Sequence, residues 1–362
     1  MIYLDYQATT PLAPEAREAM LRWLDGPGGT GFGNPHSPHR YGRQAEAAVE
    51  LARDRVAALF PPGGRVIFTG SATEALNMAL LGSEQARAGR AAAVSAIEHS
   101  AVYETAERLA GGRHVLPVGE DGLLGRIDDL PGDIGVVAVM QVNNEIGTIQ
   151  PMVEVAQMAK QANAFLVCDA VQAAGKLPIA MADAVAISAH KLHGPKGIGA
   201  LWLRNGVDLD PLVTGGGQED GLRSGTLSPA LIAGFGAAAK LAAERMEQDA
   251  VHIESLWQRA RELFGDWTLN GSADARWHGN LSLRRDGLDV ARLMSDTRNV
   301  AFSAGSACAS GSGKPSRVLQ AIGLPANLAK NTMRLGFGRY TTGEELEEAA
   351  AAINAAAQAQ GA

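Results

Sequence analysis

Three groups of polar residues stand where short apolar runs end, and each has a chemical use. Gly70-Ser71-Ala72-Thr73 follows RVIF (65–68) and leads into a helix-like stretch. A helix N-terminus offers unpaired N–H donors and the positive end of a dipole, which suits a phosphate, and Ser71 and Thr73 add hydroxyls. Asp169 closes AFLVCDA (164–170); a carboxylate there is costly to bury unless it meets a cation. Lys191 lies in Ser188-Ala189-His190-Lys191 after AVAIS (184–188), ahead of a glycine-rich turn. Desolvation at the mouth of a sheet lowers an amine pKa and frees it as a nucleophile. Each feature alone also has a plainer reading: a helix cap, a cap or buried salt bridge, a solvated loop lysine. The chain has seven lysines, at 160, 176, 191, 196, 240, 314 and 330, so a lysine placed for chemistry is easy to find. Lys196 reads as turn chemistry.

The elements that must position these groups follow from the apolar runs. RVIF, AAAVSAI (91–97), IGVVAVMQV (134–142), AFLVCDA, AVAIS and IGALWL (198–203) lack period-2 alternation, as expected of strands covered on both faces. Amphipathic segments separate them, which predicts βαβ units and a mostly parallel sheet flanked by helices. After TGGGQEDGLRSGTLSP (214–229) a long helix is expected over about 229–264. Short strands at WTLN and NLSLRR, a helix near 288–297, a Gly/Ser loop at 303–314, the stretch MRLGFGR and a final helix from 343 follow. The expected division is a large domain over 11–249 and a smaller α+β domain from 1–10 and 250–362 that carries the 303–314 loop. The Ala-rich tail 348–362 is expected to fray.

Composition narrows the classes. A chain of 362 residues, 46% hydrophobic and 20% charged, with net charge −7, is globular and argues against nucleic acid or an anionic membrane as a partner. Two cysteines, Cys168 and Cys308, make neither a disulfide framework nor a CxxC metal pair. They suggest a reducing, cytoplasmic setting, and MIYLDYQATTP does not read as a signal peptide. No apolar run approaches a membrane span. GPGGTG (26–31) has no strand before it, and GSGKPS (311–316) has Pro where a P-loop needs Ser or Thr. HSPH (36–39) and HKLH (190–193) lack partners for a metal, so none is expected.

A phosphate cradle, an acid and a lysine, each after its own strand, together describe a pyridoxal phosphate site: phosphate, ring nitrogen and aldehyde each find a partner. The sequence resembles the cysteine desulfurases, in the class V group of fold-type-I pyridoxal phosphate enzymes. The matching stretches are LDYQATTP (4–11), GNPHS (33–37), GSATEALN (70–77), EHSAV (98–102), VNNEIGTIQP (142–151), CDAVQAAGK (168–176), SAHKLHGPKGIGALW (188–202), GGGQEDGLRSGT (215–226), SAGSACASG (303–311) and MRLGFGR (333–339). The family usually has Ser-Gly-Ala-Thr where this chain has Gly70-Ser71-Ala72-Thr73, and Ala75-Leu76 replaces a more polar pair. Many relatives also carry a longer C-terminal tail that helps to dock an iron–sulfur scaffold.

The resemblance implies the fold-type-I architecture and a set of roles. Lys191 is the Schiff-base lysine and proton shuttle, and Asp169 pairs with the ring nitrogen. His99 stacks on the ring and acts as an acid/base group. Asn144 and Gln172 approach the phenolic oxygen. Ala72, Thr73, Ser188 and His190 hold the phosphate, and Thr226 reaches the phosphate of a neighbouring subunit, which implies a homodimer. Asn34, Asn144 and Arg334 receive the substrate, the arginine fork suiting a carboxylate. Cys308 lies among three glycines and four serines with no apolar periodicity. It is expected to be an exposed nucleophile that takes sulfur from L-cysteine as a persulfide, leaves L-alanine, and passes the sulfur to an acceptor protein for iron–sulfur or other sulfur cofactors. Cys168, inside an apolar strand, is expected to be an inert core residue. An aminotransferase or selenocysteine lyase would share the pyridoxal chemistry, but an aminotransferase needs no thiol in a loop. A nicotinamide-dependent dehydrogenase and a non-catalytic sulfur carrier fit the motifs less well.

Overall fold

The computed structural model describes residues 1–86, 89–125, 130–305 and 316–362; Cys308 and most of the predicted 303–314 loop lie outside the described residues. The chain opens with β1 (Ile2–Tyr3), α1 (Pro14–Leu21) and α2 (Arg40–Ala57). An alternation follows: β2 (Gly64–Thr69), α3 (Ala72–Ala86), β3 (Ala91–Ser95), α4 (Ser100–Ala106), β4 (Arg113–Leu116), β5 (Ile134–Met140), α5 (Met152–Gln161), β6 (Phe165–Asp169), β7 (Ala184–Ser188) and β8 (Gly199–Arg204). These seven strands form one sheet in the order β2-β8-β7-β6-β5-β3-β4. Every pair from β7 to β4 is parallel, while β8 runs antiparallel to both of its neighbours. Because β2 and β7 both oppose β8, the carboxyl ends of β2, β3, β5, β6 and β7 emerge along one edge, where open α/β sheets bind their ligands.

The apolar runs are strands because both faces of the sheet are covered. Val137, Val139, Leu166, Cys168, Val185 and Ile187 belong to one buried cluster, and Val136, Ala138, Phe165, Val167, Ala184 and Ala186 to another. Successive residues thus point into different cores, the strand period of two, and no polar face is left to give alternation. Cys168 is fully buried, and burial pushes its thiol pKa up, which agrees with an inert core residue.

The rest of the chain begins with α6 (Pro229–Leu263), capped by the Ser228 hydroxyl with Pro229 in its first turn. Then come β9 (Thr268–Leu269), β10 (Asn280–Arg284), α7 (Val290–Asp296), β11 (Val300–Ala301), β12 (Ser303–Ala304), α8 (Arg317–Ala321), α9 (Ala326–Lys330), β13 (Thr332–Gly336) and α10 (Gly343–Ala359). A four-stranded antiparallel sheet, β12-β13-β10-β9, forms here, and β1 pairs with β11. α6 runs unbroken through residue 250 and packs on α1, α2 and α10.

The structure corrects the fraying expected of the tail. α10 continues to Ala359, with Ala349, Ala350, Ile353 and Ala357 buried. Its start carries a reciprocal capping box between Thr342 and Glu345, and small alanines let it approach α6 and α7 closely. No helix among the described residues is long and apolar enough to cross a membrane.

Candidate active site

The turn after β2 is built to leave donors free. Ser71 Oγ accepts the Glu74 N–H at 3.2 Å, and the Glu74 carboxylate accepts the Gly70 N–H at 2.7 Å. Ser71 therefore caps α3, as the plainer reading expects, and the Ser71 carbonyl takes the Ala75 N–H at 3.1 Å. The N–H groups of Ala72 and Thr73 have no intrahelical partner in a first turn. Gly199 brings β8 against this turn: a Cβ there would lie 2.6 Å from the Ala72 nitrogen and 2.8 Å from the Ile187 carbonyl oxygen. Gly199 is the register partner of both Thr69 and Ser188, so the α3 terminus and the end of β7 stand side by side.

Past β7 the chain makes a short 3₁₀ turn, Ala189–Lys191. The N-terminal segment straps it. Thr10 N–H and Oγ1 donate to the His190 carbonyl at 2.9 and 3.0 Å, and Thr9 Oγ1 lies 3.1 Å from His190 Nδ1. Lys191 Nζ donates to the carbonyls of Gln7 and Ala8, the latter at 2.8 Å. Burial, with Lys191, Lys196 and Lys176 adding to it, lowers the His190 pKa to about 4, so the ring is a neutral partner near pH 7.

Asp169 ends β6 and is 5% exposed. Its Oδ1 accepts the Val171 N–H at 3.0 Å. Burial raises its pKa, and His99 and Lys191 act against that rise. His99 caps α4, with Nδ1 accepting the Ala101 N–H at 3.1 Å, which leaves Nε2 as the protonated nitrogen of the neutral ring. Burial lowers its pKa, Asp169 raises it and Lys191 lowers it further. The lysine, the acid and the imidazole therefore lie within electrostatic reach of one another at a single sheet edge.

The remaining predicted residues divide in two. Gln172 is buried; its Nε2 donates to the Gln7 carbonyl at 3.0 Å, and its Oε1 accepts from Lys176 Nζ at 3.3 Å. Burial, with Lys191 nearby, lowers the Lys176 pKa to about 7. Asn144 is buried, and its carbonyl accepts from Arg334 Nη1 at 3.0 Å. Arg334 is already engaged by Asp5 Oδ1 at 2.8 Å, while its buried Nε has no partner among the described residues. Ser188 is buried and Thr73 exposed. Asn34 and Thr226 are both exposed, and Asn34 Oδ1 accepts the His36 N–H at 3.0 Å. Among the described residues no hydrogen bond or ion pair joins either of them to Lys191, Asp169 or Ser188.

Sequence reasoning missed Gln7 and Asn143. The Gln7 carbonyl takes both Lys191 and Gln172. Asn143 ties the loop after β5 to the turn before His99: Nδ2 donates to the Ile97 carbonyl at 2.8 Å, and Oδ1 accepts the N–H groups of Glu145 and Ile146 at 2.8 and 2.9 Å. Both lie inside the quoted motifs, which was the available signal.

This donor set fits pyridoxal phosphate. A buried carboxylate at a strand end matches a protonated ring nitrogen, N–H groups in the first turn of α3 match a phosphate, and the Lys191 amine lies within electrostatic reach of the acid. Gly199 lets β8 and the end of β7 pack against the start of α3 without a side chain in the way. Comparison with known proteins agrees. The family profile "Aminotransferase class-V" matches residues 2–348. "Cysteine desulfurase, mitochondrial" of Arthroderma benhamiae is 42% identical, covering 96% of this chain and 72% of its own. "Cysteine desulfurase IscS" of Rickettsia akari is 40% identical, covering 96% and 89%. Among solved structures, a NifS-like protein superimposes with a TM-score of 0.88 at 30% identity over 98% of both chains.

Proposed function

The chain belongs to the cysteine desulfurases of the aminotransferase class-V family, and from that premise we propose how its residues divide the work. The enzyme depends on pyridoxal phosphate and draws sulfur from L-cysteine for transfer. When bound, the cofactor withdraws electrons from the substrate α-carbon through its protonated ring. Lys191 Nζ would anchor the cofactor through its aldehyde and, with substrate bound, would take and return the α-proton. Asp169 keeps the ring nitrogen protonated; its burial strengthens that contact. His99 covers the ring and serves as an acid/base group. Ala72, Thr73, Ser188 and His190 hold the phosphate, and Asn144 and Gln172 serve the phenolic oxygen. Asn34, Asn144 and Arg334 receive the substrate, with Arg334 sharing its guanidinium between the carboxylate and Asp5.

Cys308 is the proposed sulfur acceptor. Its thiolate attacks the substrate sulfur; the S–S bond forms, the C–S bond breaks, and the carbon takes a proton to become the methyl group of L-alanine. An acceptor protein in the cytoplasm then takes the outer sulfur of the persulfide onto its own thiolate, with the Cys308 thiolate leaving, for iron–sulfur or other sulfur cofactors. Thr226 acts across a homodimer, a reading its exposure supports. The chain divides into a PLP-binding domain over 11–249 and a smaller domain from 1–10 and 250–362.

The observation that carries this reading is the approach of Lys191, Asp169 and His99 beside the α3 terminus. The test is Cys308→Ala in the PLP-loaded enzyme. Persulfide on the protein is expected to vanish and alanine release from L-cysteine to fall by roughly 10²-fold or more, with the visible cofactor band intact. Alanine release at the wild-type rate would refute the role of Cys308.

A further inference from the structure

A second acid stands behind Asp169. Glu98 is 1% exposed. Its Oε1 accepts Ser95 Oγ at 2.5 Å and the Met140 N–H at 2.9 Å, and its buried Oε2 has no partner among the described residues. Met140 is the register partner of Asp169, so this hydrogen bond brings Glu98 to the strand beside the site acid. Arg317 faces Glu98, but its guanidinium donates to the backbone carbonyls of Ala96, at 2.5 Å, and of Glu98, and its plane covers the Tyr103 ring at 3.6 Å. The groups around the carboxyl are therefore Asp169 and Cys168 from β6, Arg317 from α8, and Ser95 at the end of β3.

The Asp169 charge opposes ionisation of Glu98, and neighbouring buried carboxylates do not both ionise readily. Asp169 has His99 and Lys191 to favour its charge. Glu98 has one cation nearby, already occupied by carbonyls, and an oxygen with no donor; an unpaired buried charge there is costly. We propose that Glu98 is a positioning residue that works as an uncharged acid, tying the Ser95–His99 turn to β5 and leaving Asp169 as the ionised member of the pair. This rests on the desulfurase reading for the reaction it serves, while the protonation itself is testable without turnover. Burial pushes the Glu98 pKa up to about 8, which sets the window for the test.

The experiment compares wild type, Glu98→Gln and Glu98→Ala as PLP-loaded enzymes. Glu98→Ala is expected to lose roughly tenfold to hundredfold in kcat, as a displaced turn would. Glu98→Gln, which keeps the shape and no charge, is expected to recover most of that loss. Wild-type kcat is expected to inflect near pH 8 from this group, and the inflection is expected to disappear in Glu98→Gln. Infrared difference spectra read the protonation directly: wild type is expected to show a protonated-carboxyl band at pH 7 that fades above pH 8 and is missing from Glu98→Gln. A wild-type spectrum without that band at pH 7 overturns the proposal, as does a Glu98→Gln variant no better than Glu98→Ala. Should neither variant fold, a pH jump through 8 on wild type alone still gives the infrared answer. Loss of persulfide on Cys308→Ala is independent of all these outcomes, so failure of this proposal and failure of the functional reading are distinguishable.

Discussion

Glu219 and Glu98 are both buried beside strands of the large sheet, at 8% and 1% exposure, yet their surroundings are opposite. Glu219 accepts from Nη1 and Nη2 of Arg53, each at 2.8 Å, and from the Phe68 N–H at 2.7 Å. The backbone accepts a left-handed φ of 52° at Glu219 in that loop, a conformation that is uncommon outside glycine. Glu98 has only neutral donors at its carboxyl. The difference separates an acid that fixes the frame, with its countercharge built in, from acids at the site whose charge is left for a ligand or a neighbour to decide. Asp169 belongs with Glu98 in this respect: it has a backbone N–H and no ion pair among the described residues.

The contrast can be broken most directly at its two extremes. Asp169→Ala is expected to lower kcat by roughly 10²–10⁴-fold with little change in the thermal melt; a large loss of stability with modest loss of rate would put Asp169 with the frame instead. Arg53→Ala should do the reverse. Removing one partner of a buried pair costs about 3–5 kcal/mol, and the partial exposure of the Arg53 side chain, 21%, places the expected loss at the lower end. Denaturant unfolding would measure it, with kcat of the folded enzyme unchanged.

A finer test uses pH. Burial pushes the Glu98 pKa up to about 8, above the ordinary carboxylate value of 4.5. Folding then favours the protonated form, so the stabilising contribution is complete below about pH 4.5 and is lost as pH rises toward 8. Wild type is expected to lose melting temperature relative to Glu98→Gln across that interval. Parallel curves would show that Glu98 ionises as freely as a surface acid.

Much of this arrangement is legible in the residues. The runs that became β2, β3 and β5 through β8 are apolar because both faces are covered. Lys191 and Asp169 stand out because each puts a charge at the end of such a run. β4, Arg113–Leu116, is hidden by its exposed middle residues, and the reversed direction of β8 depends on which strand it joins rather than on its own composition. Glu98 escapes notice because its meaning lies in burial against Met140 and Asp169, more than 40 residues away in sequence. Gln7 escapes for a related reason: its contribution to Lys191 is a backbone carbonyl, which any residue type supplies. The alanines of α10 look like low complexity until the neighbouring helices are seen to need small side chains.

The strap formed by residues 5 to 10 has a practical consequence for anyone making this enzyme. Asp5 holds Arg334, Gln7 and Ala8 receive Lys191, and Thr9 and Thr10 fasten His190. Met1 itself is 95% exposed. An affinity tag ahead of Met1 has open space, whereas trimming the first ten residues as a dispensable leader would cut away the carbonyls that hold Lys191, the proposed anchor of the cofactor.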